Sequence, residues 1–376
     1  MRILHTEWSG DLGGQERRVL AEVAGLSKRG HHTAIVCRAG TRFCEECLRR
    51  GIEVHTLPLR SPYDIASISR LSKYIGANRF DVVNTHSGKD SWIAGMAAKI
   101  AATPLLVRTR HLNIPLKRSI FNFIHYLPDV YITCGTNMRK TLVEDCGFPP
   151  DDVVSIPTGV DDEFFAVKRN PSAKLKYVRA DASPIITNVG ILRGVKGHEV
   201  TLRAVPKVIE AFPNAVFLLV GDGPKLKGLQ GMARSLGIDG SVVFTGYVST
   251  AAEIAEIYSF SDVSVLSSHS EGVPQSVMQA MAAGVPVVAT RVGGVPEVVK
   301  HEHTGLLVNP SDHDALAEGV IRVLRDNALS VGMSERAKQF IYENHSATVM
   351  LDKTEALYYR LLEAKLLNEI SGPPTR

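Results

Sequence analysis

The chain has 376 residues, 44% hydrophobic and 22% charged, with a formal net charge of +4. This balance excludes a disordered chain and an integral membrane protein, and single hydrophobic cores rarely grow past about 250–300 residues, so two domains are expected. The five cysteines (Cys37, Cys44, Cys47, Cys134 and Cys146) are odd in number and scattered, as in reduced cytosolic proteins, and the lone C-x-x-C at 44–47 lacks the second ligand pair that a zinc site needs.

The chain opens MRILHTEWSG, with one basic residue and only Ile3 and Leu4 as apolar core. This reads as a buried first strand and not as a signal peptide. Short apolar or β-branched runs follow at 33–37, 54–57, 82–85, 105–109 and 130–133, with helical patterns between them, as at 15–29 and 64–77. Such alternation predicts βαβ units around a parallel sheet. Lys99 and Pro104 interrupt the apolar stretch 92–107, which is too short to span a membrane. Residues 116–127 read as an amphipathic helix with Leu116, Ile120, Phe123, Ile124 and Leu127 on one face and Lys117 and Arg118 beside it. That face either packs into the core or rests on an anionic membrane surface. The charge is uneven: residues 1–140 carry 21 basic against 11 acidic residues, the remainder 22 against 28. A basic first half points to an anionic partner, and no nucleic-acid-binding module is recognisable.

Residues 161–181 are charged, without period, and contain Pro171, which predicts a linker. The second half repeats the architecture, with strands expected at 184–189, 215–220, 242–244, 263–266, 285–289 and 305–308. Helices are expected at 315–324, 328–342 and 347–367, and the tail 371–376 should fray. The expected class is therefore α/β, with two Rossmann-like domains facing across a cleft. Residues 1–165 are expected to form the first domain, 166–345 the second, and 346–376 a last helix with its tail.

In doubly wound sheets, ligands bind beyond the carboxyl ends of the strands, so the loops there should carry the chemistry. Gly13 and Gly14 open the first helix, either to let a ligand approach or only to make a tight turn. In GILRGVKGH, Arg193 and Lys196 stand where a diphosphate would lie, Arg as a planar donor fork and Lys as a point charge. VGDGP at 220–224 is ordinary turn chemistry. In SSHSEGVPQSVMQAMAAGVP, Glu271 closes a loop and can accept hydrogen bonds from sugar hydroxyls. The helix expected at 276–282 presents an N-terminus suited to phosphate. Asp312-His-Asp314 is the sole Asp-x-Asp in the chain; Asp312 reads as an N-cap, so no metal site is expected there.

The stretches VGILRGVKGHE, LLVGDGP, VVFTGYV, SDVSVLSSHSEGVPQSVMQAMAAGVPVVAT, VGGVPEVV and TGLLV, in this order, resemble the family 4 glycosyltransferases of the GT-B fold. The resemblance implies transfer from a nucleotide sugar, a UDP-linked donor favoured, usually with retention at the anomeric carbon and without a metal or other cofactor. It places the family's Glu-x7-Glu motif on Glu271, toward the donor sugar, and on Gln279, toward the ribose. An amide there still donates and accepts but loses the charge-assisted strength. Gly272, Val273, Gln275 and Ser276 lie between them on the same loop and helix. The phosphate lysine falls on Lys196, and the usual arginine is replaced by Ile191, with Arg193 two positions on. Val248 falls where the base is held through the backbone, and Gly13 and Gly14 correspond to the N-domain glycine loop. Two histidines, His86 and His111, compete for the place near the donor sugar; Arg108 and Arg110 favour His111. The implied partners are a nucleotide-sugar donor and a glycan or lipid-linked acceptor, with 1–165 as the acceptor-binding domain, 166–345 as the nucleotide-sugar-binding domain and the helix in 346–376 returning to the first domain. The expected place is the cytoplasm, with the 116–127 stretch and the basic first half favouring a peripheral position on the inner face of the plasma membrane, and LRGVKGH resembles members of bacterial surface polysaccharide or lipopolysaccharide assembly. A non-catalytic nucleotide-sugar-binding subunit and a sugar-nucleotide 2-epimerase of similar fold are the alternatives.

Overall fold

The computed structural model describes residues 1–61, 63–116, 120–248 and 250–371, the side chains of 120–121 and 368–371 excepted. The chain divides into two compact units, Met1–Gly159 with Ala347–Arg376, and Val160–Ser346.

The first unit holds strands β1 (Arg2–Thr6), β2 (His32–Cys37), β3 (Glu53–Thr56), β4 (Val82–Thr85), β5 (Leu105–Arg110), β6 (Val130–Thr133) and β7 (Val153–Ser155). They form one seven-stranded sheet in the order β3-β2-β1-β4-β5-β6-β7. Every pairing is parallel; Leu4, for example, sits between Ala34 and Val83. The strands were readable because parallel strands are buried on both faces and show as apolar runs. Helices α1 (Gly14–Lys28), α2 (Arg42–Arg49), α3 (Ile65–Asn78), α4 (Gly88–Ile100) and α5 (Thr136–Lys140) connect them.

The second unit holds β8 (Ile185–Val189), β9 (Val216–Val220), β10 (Val242–Phe244), β11 (Val263–Leu266), β12 (Val287–Thr290) and β13 (Leu306–Val308), in the order β10-β9-β8-β11-β12-β13. Its helices are α6 (Asp162–Phe165), α7 (His198–Ala211), α8 (Leu226–Ser235), α9 (Ala251–Phe260), α10 (Gln275–Ala282), α11 (Val295–Val298), α12 (His313–Arg325) and α13 (Asn327–His345). Asp312 caps α12 by accepting from the Ala315 N–H at 2.9 Å.

The last helix, α14 (Ala347–Ser371), packs on the first unit. Met350, Leu351, Leu357 and Tyr358 join Ile3, Val82 and Val107 in one core. Asn84 donates to the Tyr358 hydroxyl at 3.0 Å, and Glu355 meets both Arg29 and His31. Gly25 of α1 lets Leu351 pack close, since a Cβ there would lie 2.3 Å from a Leu351 methyl and would push that side chain aside.

Two readings are corrected. Residues 161–181 are not a linker: Phe164 and Ala173 are buried in cores of the second unit, so 160–165 belong with it as well. The sparse apolar anchors of this stretch hide among charges, which is why it lacks a period. Residues 116–127 do not form one amphipathic helix. Ile120–Tyr126 is a 3-10 segment broken at Asn122, and Lys117 and Arg118 lie outside the described residues. Ile124 is buried, whereas Phe123 and Tyr126 are exposed. Among the described residues no helix is long and apolar enough to cross a membrane.

Candidate active site

In the second unit the strand order reverses between β8 and β11, so the loops leaving these two strands flank a crevice at the sheet's carboxyl edge. One loop carries Arg193 and Lys196, the other Glu271. The structure brings Lys196 and Glu271 together: Lys196 Nζ donates to both carboxylate oxygens, at 2.7 and 2.9 Å. The Glu271 side chain is only 8% exposed and Lys196 26%, so the pair is sheltered yet reachable. Ser268 Oγ also donates to Glu271. Arg193 is exposed on the same loop, outside this pair.

The backbone explains the placement. Gly197 has φ +61, and a Cβ there would lie 2.1 Å from the Ser267 carbonyl oxygen. The two loops are thus pressed together, and the His269 N–H donates to the Val195 carbonyl at 2.8 Å. Beneath them Asn188, Thr201 and Ser267 form a buried hydrogen-bonded set. On the other side Gly293, at φ +49, lies so close that a Cβ would fall 1.9 Å from the Glu271 carbonyl oxygen. The Gly294 N–H bonds the Gly272 carbonyl at 2.9 Å. Gly293 and Gly294 were quoted from the sequence only as part of a matching stretch. Their role as the seat of the Glu271 loop needed the fold. Gly221 and Gly223 likewise admit the Gly190–Leu192 backbone, with would-be Cβ contacts of 2.1 and 2.6 Å. VGDGP therefore supports the loop that carries Arg193 and Lys196 and is more than a turn.

Gly272 and Val273 lead through Pro274 into α10, whose first turn holds Gln275 and Ser276. The first N–H groups of a helix lack intrahelical partners and attract anions. Gln275 Nε2 is buried without a partner among the described residues, a donor still to be satisfied. Gln279 is half-buried one turn further on, and Val248 is half-buried in the segment between β10 and α9. Buried His198, beside Lys196, has no partner for either ring nitrogen among the described residues, and burial holds its pKa down to about 4.

In the first unit, Gly13 caps α1 at φ −89 and its N–H donates to Glu16 Oε2 at 2.8 Å. Neither Gly13 nor Gly14 occupies the left-handed region, and a Cβ on Gly14 would meet nothing within 4 Å. Turn geometry therefore does not require these glycines. His86 and His111 do not compete but are joined. His5 Nδ1 meets His86 Nε2 at 2.9 Å, His86 Nδ1 meets His111 Nε2 at 3.0 Å, and His111 Nδ1 lies 3.5 Å from Cys134 Sγ. Burial holds all three imidazoles well below the ordinary histidine range, that of His5 at about 4. His5, Glu22 and His86 bring ligand atoms within 4.8 Å of one another. Arg18 Nε already donates to Glu22 at 2.8 Å, so a cation there would face a guanidinium, and the group reads as a hydrogen-bonded core network.

Two doubly wound units, the second with a cation–carboxylate pair and a helix N-terminus at its switch point, define a sugar-transferring enzyme of the GT-B fold. The family model described as Glycosyl transferases group 1 matches residues 171–340, and that described as Glycosyltransferase Family 4 matches residues 12–164. The N-acetyl-alpha-D-glucosaminyl L-malate synthase of Bacillus anthracis is 26% identical over 353 residues, covering 90% of this chain and 91% of its own. The UDP-Gal:alpha-D-GlcNAc-diphosphoundecaprenol alpha-1,3-galactosyltransferase of Escherichia coli is 25% identical over 386 residues, covering 97% and 98%. Among solved structures, Anabaena HepE in complex with UDP and glucose shares the fold, with a TM-score of 0.82 at 19% identity over 96% of this chain and 100% of the other. The chain belongs to family 4 of the glycosyltransferases.

Proposed function

We propose that the protein transfers a sugar, with retention, from a UDP-linked donor to a glycan or lipid-linked acceptor, in the assembly of bacterial surface polysaccharide or lipopolysaccharide. The observation that carries this reading is the Lys196–Glu271 pair at the switch point of the second sheet. Lys196 donates to both Glu271 oxygens, so the pair joins a phosphate-binding cation to a hydroxyl-binding carboxylate. A donor diphosphate takes over Lys196, with Arg193 and the α10 N-terminus adding to the field on the leaving group. A sugar hydroxyl then donates to Glu271 in place of the ammonium. Val248 holds the base through its backbone, Gln279 and Gln275 donate to the ribose and phosphate region, and Gly272, Val273 and Ser276 line the approach. Gly13, Gly14 and His111 are the first unit's candidate contacts for substrate. These cations and backbone donors neutralise the diphosphate without a metal ion.

The Escherichia coli relative, named for a GlcNAc-diphosphoundecaprenol, supports a lipid-linked acceptor. The exposed apolar residues Leu112, Ile114, Phe123 and Tyr126 support a peripheral position on the cytoplasmic face of an anionic membrane. Thermal unfolding with a panel of nucleotide sugars tests the donor reading. A ligand at a hundred times its dissociation constant adds about 2.7 kcal/mol, whereas no shift with any nucleotide sugar or nucleoside diphosphate contradicts it.

A further inference from the structure

The first unit has a switch point of its own, between β1 and β4. The loops leaving β1 and β2 and the first turn of α4 bring Trp8, Arg38 and Lys89 together there. The Arg38 guanidinium carbon lies 4.3 Å from the Trp8 ring centroid, and Lys89 Nζ lies 3.7 Å from it. This cluster is built, not incidental. Trp8 Nε1 donates to the Leu59 carbonyl at 2.9 Å, and Arg38 Nε donates to the Trp8 carbonyl at 2.9 Å. Gly10 fits tightly over it, since a Cβ would lie 3.1 Å from Arg38 Nη2.

Two like charges on one indole repel, and the ring quadrupole offsets only part of that. Among the described residues neither cation forms an ion pair. Two acids next to the cluster in sequence, Glu7 and Asp90, are already committed. Glu7 accepts from the Ser9 N–H and Gln15 Nε2. Asp90 accepts from Thr6 Oγ1 and from the His86 and Ser87 N–H groups. Both are fully buried, so neither offers an oxygen to solvent-facing Lys89. A fixed guanidinium and an ammonium, unneutralised, at the carboxyl edge of a doubly wound sheet, make an anion site with an apolar floor.

We propose that Arg38 and Lys89, held against Trp8, bind an anionic group of the acceptor, a carboxylate or a phosphate. This rests on the transferase reading and names the chemistry of its second substrate. A soluble acid and a lipid-linked diphosphate both present that chemistry.

The chain has two tryptophans, so Trp92→Phe leaves Trp8 as the sole tryptophan reporter. The full-length variant, held in saturating UDP to keep anions off Lys196, is titrated with L-malate, inorganic diphosphate and farnesyl diphosphate. The expected result is a saturable change in Trp8 emission. It weakens roughly tenfold in Lys89→Ala and roughly a hundredfold when Arg38→Gln is added, since a charge-assisted contact contributes about that factor, and it survives in Lys89→Arg. Tighter binding of malate identifies a soluble acid, and tighter binding of farnesyl diphosphate a lipid-linked one. No response to any of the three anions from a folded protein that UDP still stabilises would overturn the proposal and leave the donor reading standing. So would unchanged affinity in Lys89→Ala, whose exposed side chain carries little of the fold. A normal anion response without stabilisation by UDP would support the anion site and count against the donor reading alone.

Discussion

Gly293→Ala separates the role of the Glu271 seat from ordinary loop strain. At φ +49 an L-residue carries about 1–2 kcal/mol of strain. Its Cβ would also lie 1.9 Å from the Glu271 carbonyl oxygen, so the two backbones must part by about 1 Å or more in a close-packed site. Parting them breaks the Gly294 N–H bond to Gly272, a further loss of about 1 kcal/mol. The total is about 2–3 kcal/mol. Gly284→Ala is the control: φ is +74 there, but a Cβ meets nothing within 4 Å, so only the strain of about 1–2 kcal/mol applies. The functional contrast is sharper. A displacement of about 1 Å at Glu271 and Lys196 lowers kcat/KM by about a hundredfold, whereas Gly284→Ala stays within a few-fold. Thermal unfolding and donor kcat/KM are measured for both variants. Equal melting temperatures and equal kcat/KM would refute the seat.

Lys196→Ala reduces transfer by roughly a hundredfold or more, because it removes a charge from the leaving diphosphate and strands Glu271; steady-state rates check this. Glu271→Gln lowers kcat/KM far more than the melting temperature, since the carboxylate sits in a loop at a helix N-terminus; a fully active or an unfolded variant would count against its donor-sugar role. Acid destabilises the fold through the buried histidines. Their folded pKa values lie below the unfolded 6.5, so their stabilisation is full above that pH and is lost as pH falls toward about 4 for His5 and His198. His5 alone accounts for a loss of about 3 kcal/mol across that window, and His5→Gln should flatten the acid limb of a melting-temperature profile. Glu7 acts in the opposite sense, since burial and the Asp90 charge push its carboxyl up and its penalty grows as pH rises.

Both sheets were legible because their central strands are apolar runs of four to six residues, as in Val82–Thr85 and Val216–Val220. β7 was missed: Val153–Ser155 is three residues long and only its first is buried, so it leaves too little pattern to detect. At the site, Lys196 and Glu271 were visible as charged residues in Gly-rich loops after strands. Their pairing was not, since 75 residues separate them. The same holds for the histidine chain, whose partners stand 81 and 25 residues apart. The glycine seat and the Trp8 cluster depend on which loops the strand order brings together, and no local window carries that information.

The central claim is that the Lys196–Glu271 site takes a nucleotide sugar and releases its nucleoside diphosphate without a metal. The direct measurement is chromatographic detection of the UDP released as the wild-type protein moves the hexosyl group of UDP-hexoses to an added polyprenyl-diphosphate-linked sugar or, more slowly, to water, in excess EDTA, beside Lys196→Ala. The account predicts steady UDP release by the wild type, unaffected by EDTA, and near-background release by the variant. Release that EDTA abolishes and Mn²⁺ restores, or equal release by Lys196→Ala, would contradict it.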